Sequence, residues 1–226
     1  MLLVNSLMFM VGACCGSFIT CMAERLSDMQ SLYTKQRSVC PQCQHQLRFW
    51  QLMPLLGVLL QRGKCFDCRK PINLRSTWIE LLCGGLVLLN WQTPLSFGLP
   101  LLLGYGVLIF NSLTDGLSFS VFPITLILPG VLGLWFQPPT WSVPLAIVTV
   151  LLLALYGIAW QTKKFGLGDV DILVLLSCLA KPDLVLTSLT LASFAALLIF
   201  VLARRRTQLP FVPFLTWAFI LTTQLA

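Results

Sequence analysis

Long apolar runs are the feature that most limits what this chain can fold into. Eight runs, separated by Pro, Gly or charged residues, approach or reach the length of about 20 residues that a membrane-spanning helix needs. They cover residues 4–23, 77–92, 97–113, 121–136, 142–160, 169–181, 184–203 and 210–225. With only 10% of its residues charged and 57% hydrophobic, the chain cannot cover itself with a water-soluble surface. Long runs of alternating polar and apolar residues are missing, so we predict an all-α membrane protein with about eight transmembrane helices.

A single long polar segment interrupts this pattern, between the first and second apolar runs. We therefore divide the chain into a first transmembrane helix at residues 1–24, a small lobe at residues 25–76 and a helix bundle at residues 77–226. The lobe carries nine basic residues: Arg25, Lys35, Arg37, Arg48, Arg62, Lys64, Arg69, Lys70 and Arg75. By the positive-inside rule the lobe is cytoplasmic, and the amino terminus is then outside the cell membrane.

The later loops provide a test of this topology. Alternation from an outside amino terminus places residues 114–120, 161–168 and 204–209 on the cytoplasmic side. Two further basic clusters fall in these loops: Lys163 and Lys164 in one, and Arg204, Arg205 and Arg206 in the other. The net charge of +7 therefore reflects orientation in the lipid bilayer. It does not indicate a nucleic-acid partner, because the basic residues are not interleaved with aromatic residues in one surface.

Four cysteines in the lobe have the spacing of a metal site. Cys40 and Cys43 form one C-x2-C pair, and Cys65 and Cys68 form a second. Two such pairs suit tetrahedral zinc, and a site closed by four cysteines is structural, because no position remains for water. Disulfides are the alternative, although a reducing cytoplasm disfavours them. His45, the only histidine, is expected to be a solvated loop residue, and a Ser-His triad is excluded in practice.

Two aspartates are the candidates for chemistry in the apolar part of the chain. Asp115 follows the third run, and Asp169 follows Gly166 and Gly168 at the start of the sixth. Each has a plain structural interpretation: Asp115 as a helix-end residue at the membrane surface, and Asp169 as the N-cap of a helix beginning at Val170. The two glycines, however, permit positive φ and a close backbone approach, which an ordinary cap does not require twice.

A pair of aspartates at similar depth could act together. Both acids fall at predicted cytoplasmic ends of spans. Held close in a partly dry site, two carboxyl groups share one proton, so that one activates water while the other polarises a scissile carbonyl. This chemistry needs no metal and no nucleophilic side chain.

With these residues the chain is similar to the bacterial prepilin leader peptidases, especially the shorter competence-type enzymes. Five features occur in the family's order: Gly-Ser-Phe at residues 16–18 with Arg25, the four cysteines, Arg75 with Glu80, an aspartate after the third span, and Gly-x-Gly-Asp at residues 166–169. A Leu-Pro-x-Val-Pro segment begins at residue 209 and resembles the family's carboxy-terminal segment. The Gly-x-Gly-Asp element alone is weak, since presenilin-like proteases share it, but the ordered combination is specific.

The resemblance implies an aspartic endopeptidase with Asp115 and Asp169 as its catalytic pair. Such an enzyme removes a short basic leader from type IV pilin-like precursors at the cytoplasmic membrane face. Many relatives also methylate the new amino terminus with S-adenosylmethionine, and here that activity rests on resemblance alone. We expect Glu24 or Glu80 to receive the positively charged leader, because the lobe itself is basic.

Two departures from the family pattern leave alternatives open. Phe122 stands where the family usually has a proline after its first aspartate, and Asp171 stands where a lysine is frequent. Asp171 is therefore a second candidate beside Asp169. A different class of function is a membrane transporter or assembly scaffold, in which the aspartates would bind a cation or carry protons near the membrane midplane.

Overall fold

The computed structural model describes residues 1–28, 38–162, 166–202 and 209–225. Within these ranges the chain forms α1 (Leu2–Ser27), a 3₁₀ helix (Phe49–Leu52), α2 (Leu56–Leu60), α3 (Arg75–Asn90), α4 (Leu95–Ser118), α5 (Pro123–Phe136), α6 (Val143–Thr162), α7 (Leu167–Leu179), α8 (Pro182–Leu202) and α9 (Val212–Leu225). Extended pairing in the described part is limited to two isolated bridges. The all-α prediction is confirmed. Seven basic residues used to predict the topology lie outside the described residues: Lys35, Arg37, Lys163, Lys164, Arg204, Arg205 and Arg206.

The protein is a multi-pass membrane protein, and its apolar helices fall into two length classes. Each predicted span overlaps one helix, namely α1 or one of α3 to α9. By length and composition, α1, α4, α6 and α8 can cross a membrane. The helices α3, α5, α7 and α9 have only 16, 14, 13 and 14 residues, or about 20 to 24 Å at 1.5 Å per residue, against a hydrocarbon core of about 30 Å. The short helices therefore need irregular backbone at their ends, which a membrane tolerates where it is buried in protein or lines a cavity.

The described residues form two compact units, Met1–Gln92 and Thr93–Ala226. In the first unit α1 and α3 pack antiparallel, and the lobe joins them. Small residues bring the two helices together: a Cβ added at Gly12 would lie 2.5 Å from the Cys83 carbonyl oxygen, and one at Gly16 would lie 3.0 Å from the Glu80 Cα. The predicted three-part division at residues 24 and 76 stays a prediction.

In the second unit α4 packs on α5, α7 and α9. It runs antiparallel to α9, with the Tyr105 hydroxyl 2.6 Å from the Thr223 hydroxyl and the Thr216 hydroxyl donating to the Leu108 carbonyl at 3.3 Å. The helices α5 and α7 are parallel, since Gly133 packs directly on the Cys178 carbonyl. One end of this unit therefore gathers the carboxyl end of α4 and the amino ends of α5, α7 and α9.

We predict that Gly12→Ala destabilises the first unit. The new methyl group would lie too close to the α3 backbone, which cannot move aside as a flexible side chain can, and overpacking of this kind costs about 1–3 kcal/mol. Thermal unfolding in detergent measures the effect. Gly85→Ala is the matched control, because a Cβ there meets nothing within 4 Å; equal melting temperatures for the two variants would contradict the packing described.

Candidate active site and metal centre

A cavity of about 640 Å³ lies at the end of the second unit where α4 ends and three short helices begin. Its lining comes from three connections that the sequence predicts on one side of the membrane. The lining residues are Asp115, Phe119, Val121, Pro123, Gly166, Leu167, Gly168, Asp169, Asp171, Leu209, Pro210 and Phe211. The structure thus brings both sequence-predicted aspartates to one cavity, although they are far apart along the chain.

Asp115 lies in the last turn of α4, which continues to Ser118 and so extends beyond the predicted end at residue 113. A carboxylate at this position is disfavoured by the helix macrodipole, whose negative end is the carboxyl terminus. The Asp115 side chain is also buried, with 7% of the residue exposed. It is not an exposed helix-end residue. The first backbone N–H of α9, from Val212, donates to Asp115 Oδ2 at 3.2 Å and offsets part of this disadvantage.

Asp169 lies in the first turn of α7, where the positive end of the macrodipole favours a carboxylate. The helix begins at Leu167 with Gly166 as its N-cap, so the alternative interpretation of Asp169 as the N-cap is wrong. The Asp169 carboxyl lies over its own turn: a Cβ added at Gly166 would be 3.2 Å from Asp169 Oδ2. Asp115 and Asp169 line the same cavity.

Gly168, beside Asp169, is required for space and not for backbone conformation. Gly166 has φ −66° and Gly168 lies within α7, so neither uses the positive φ that glycine permits. A Cβ at Gly168 would instead lie 2.6 Å from the Val121 Cβ. Val121 lies between α4 and α5 and lines the same cavity. Close approach, the other reason for a glycine, therefore explains Gly168.

Asn111 fixes the connection that carries Val121, and sequence reasoning did not single it out. It lies one turn before Asp115 on α4 and is fully buried. Its Oδ1 accepts the Phe122 N–H at 2.8 Å, and its Nδ2 donates to the Thr125 hydroxyl at 3.0 Å. Phe122 is the N-cap of α5, with Pro123 at the favourable first position. A buried amide in an apolar helix was the available signal, because such a group needs partners.

Asp171 also lines the cavity. Asp171 therefore remains a second candidate beside Asp169.

The four cysteines of the lobe converge on one point. The Sγ atoms of Cys40, Cys43, Cys65 and Cys68 all lie within 4.8 Å of one another. A tetrahedral ion with metal–sulfur bonds of about 2.3 Å holds its ligands roughly 3.8 Å apart. Only a small contraction is needed, so this cluster fits a metal ion.

The two cysteine pairs lie in equivalent turns. In the first turn the Cys40 N–H donates to the His45 carbonyl at 2.9 Å, and in the second the Cys65 N–H donates to the Lys70 carbonyl at 2.8 Å. Each turn is closed by an isolated bridge, Val39 with Gln46 and Lys64 with Pro71. The lobe thus contains two copies of one cysteine turn.

Backbone N–H groups of the first turn favour the thiolate form of Cys40. The N–H groups of Cys43 and Gln42 lower the pKa of the Cys40 thiol to about 7. The thiolate is the form that binds metal. His45 is half-exposed, and its Nε2 lies 3.4 Å from Asp67 Oδ2, so it links the two turns beside the cysteine cluster.

Of the two acids expected to receive a leader, only Glu24 is accessible. Glu80 is buried, and its carboxylate accepts the Leu55 N–H at 2.9 Å and the Ser76 hydroxyl at 3.1 Å. It therefore joins the lobe to α3. Glu24 is exposed near the end of α1.

Comparisons with known proteins agree in one family. The description Bacterial Peptidase A24 N-terminal domain matches residues 10–93, which is most of the first unit. The Prepilin leader peptidase/N-methyltransferase of Myxococcus xanthus (strain DK1622) is 33% identical over 131 residues, covering 56% of this chain and 38% of the relative. That of Neisseria gonorrhoeae is 34% identical over 152 residues, covering 61% and 51%. The chain therefore spans about half or less of these two relatives. No solved structure matches the chain.

A further relative matches this chain over most of the length of both proteins. The Type 4 prepilin-like proteins leader peptide-processing enzyme of Escherichia coli O78:H11 (strain H10407 / ETEC) is 30% identical over 224 residues, covering 90% of this chain and 83% of the relative. A match over 90% of the chain extends into both units. The chain belongs to the prepilin leader peptidase family.

Proposed function

We propose that this chain is a membrane aspartic endopeptidase that removes the leader from type IV pilin-like precursors, the competence pseudopilins among them. The observation that carries the proposal is the meeting of Asp115 and Asp169 in one cavity at the end of the helix bundle. The names of the relatives support the substrate class.

The chemistry follows from two acids that share a proton. In the resting pair one carboxyl group is ionised and the other is protonated, because two close anions in a partly dry site repel each other. The ionised group takes a proton from water as it attacks the peptide carbonyl, and the protonated group donates to the carbonyl oxygen. The Val212 N–H, which donates to Asp115 Oδ2, fixes the orientation of one acid. Collapse of the intermediate then moves a proton to the leaving amine.

The position of the acids supports a peptidase over a transporter or scaffold. An ion carrier needs its acids near the middle of the membrane. Asp115 lies in the last turn of α4 and Asp169 in the first turn of α7, so both lie where helices end. The distribution of basic residues along the sequence supports a cytoplasmic side for residues 114–120 and 161–168 and for the lobe, with the amino terminus outside. A leader on the cytoplasmic side of the membrane is consistent with this proposal.

Two cofactors belong to this proposal in different ways. A structural zinc ion would be held by Cys40, Cys43, Cys65 and Cys68 and would stabilise a lobe too short to build a core of its own. Methylation of the new amino terminus would require S-adenosylmethionine. The sequence contains no G-x-G-x-x-G fingerprint, so methyl transfer rests on the names of relatives.

We predict that Asp115→Asn and Asp169→Asn each reduce precursor cleavage by at least about 100-fold, because each removes one partner of a general acid–base pair. Immunoblots of a co-expressed type IV pilin precursor measure the ratio of processed to unprocessed protein. Asp183→Asn is the matched control: Asp183 lies in the first turn of α8 and is exposed.

Asp171→Asn separates the two candidates on α7. We expect it to retain most cleavage. Full cleavage by Asp169→Asn, together with loss in Asp171→Asn, would transfer the catalytic role to Asp171.

We predict that Gly168→Ala lowers cleavage about 10- to 100-fold, since it displaces Val121 or moves α7, and misplacement of a catalytic group by 1 Å is enough for such a loss. The double variant Gly168→Ala/Val121→Ala should recover much of the activity, because it removes the atoms that the new methyl group meets. Activity as low in the double variant as in Gly168→Ala would show that Val121 is not the obstacle.

For the lobe, purified protein is expected to contain about one zinc ion per chain. Cys65→Ser should lose zinc and lower the yield of folded protein, because a site with three cysteines and no replacement ligand binds weakly. Elemental analysis and size-exclusion chromatography measure both effects. Cys14→Ser, which alters an exposed cysteine of α1, should change neither. A metal-free protein, purified under reducing conditions and fully folded, would contradict the zinc site.

A further inference from the structure

The segment Phe49–Leu60, which holds the 3₁₀ helix and α2, has its one polar side chain buried and many of its apolar side chains exposed. Gln51 is buried, and its side chain accepts the Arg48 N–H at 2.7 Å and donates to the Gln61 side chain at 3.2 Å. The segment is closely packed on this side, because Gly57 lies directly against the Gln51 carbonyl. Six apolar residues of the segment are exposed instead: Phe49, Leu52, Met53, Leu56, Leu59 and Leu60. On a surface that faces water, the apolar side chains would be buried and the polar side chain exposed.

A hydrogen bond to α3 fixes the position of this segment along the pair of helices α1 and α3. The Leu55 N–H donates to Glu80 Oε2 at 2.9 Å, and Glu80 packs opposite Gly16 of α1. The charged end of α1 at Glu24 and Arg25 is about 12 Å further along the helix axis, at 1.5 Å per residue. The segment therefore joins α3 at a level where α1 is still within its apolar span.

Positive charges border the exposed apolar side chains. Arg48 precedes the segment, and Arg62 and Lys64 follow it, all three exposed. Between residues 38 and 74 the chain has five basic residues and a single acid, Asp67. An apolar face with a basic border is suited to the boundary between acyl chains and anionic headgroups.

From these observations we propose that Phe49–Leu60 is an interfacial membrane anchor, with its exposed apolar side chains inserted among the acyl chains of a leaflet that contains anionic phospholipid. Arg48, Arg62 and Lys64 bind the headgroups at its border. The anchor holds the cysteine lobe against the bilayer, independently of the peptidase activity proposed above.

Photo-crosslinking of the full chain tests the anchor. A benzophenone amino acid is introduced as Leu59→p-benzoylphenylalanine, and in a second variant as Leu60→p-benzoylphenylalanine; these residues are 76% and 64% exposed. The protein is reconstituted in nanodiscs of phosphatidylcholine and phosphatidylglycerol, irradiated and digested for mass spectrometry. The control is Gln42→p-benzoylphenylalanine, at an exposed position in the first cysteine turn. We expect several-fold more phospholipid adduct at positions 59 and 60 than at position 42, with phosphatidylglycerol enriched over its share of the bilayer.

Three results would overturn the anchor. They are lipid adducts no more frequent at positions 59 and 60 than at position 42, adducts mainly with residues of the second unit, and adducts mainly with a second copy of the chain. Replacing Arg62→Gln and Lys64→Gln in the Leu59 variant should remove the phosphatidylglycerol enrichment; unchanged enrichment would contradict the role of the basic border.

Discussion

A carboxylate at the carboxyl end of a helix is placed against the field of that helix, and Asp115 is in this position and buried as well. The contact that offsets it comes from the amino end of another helix, through the Val212 N–H. One helix end that disfavours negative charge is thus joined to another that favours it. This interaction relates α4 to α9, and the site between them depends on it. A purely structural residue in this place would be better as an amide, which carries no charge to compensate.

The cavity exists because several helices are shorter than the membrane is thick. The helices α5, α7 and α9 all begin at the same end of the second unit and leave irregular backbone there. In hydrocarbon the polar groups of that backbone would be unsatisfied, but around a hydrated cavity they can bind water or a substrate peptide. The shortness of these helices therefore explains why the two acids line a cavity. Their amino ends also direct positive potential at the place where negative charge is needed.

The long apolar runs of the sequence were sufficient to predict the helices of the membrane part, since each of the eight predicted spans overlaps one helix. The spacing of the cysteines predicted a cluster in the same way, because both signals are local. What sequence could not provide were the contacts between distant residues. The approach of Val121 to Gly168, the bond from Asn111 to Phe122 and the bond from Val212 to Asp115 join elements whose separation in the chain gives no hint of contact. Local reasoning offered two explanations for the glycines, positive φ and close approach, and only the contact between Gly168 and Val121 decides for close approach.

The antiparallel pair of α1 and α3 has a consequence for biosynthesis. The whole lobe is synthesised between the two helices, so α1 has no packing partner until α3 emerges from the ribosome. Joining two ends of a long flexible tether loses chain entropy. A lobe that has already collapsed around its cysteine cluster shortens that tether and limits the directions in which α3 can be delivered. How early the lobe folds would then govern how often the glycine-lined faces of the two helices meet before other hydrophobic segments compete for them.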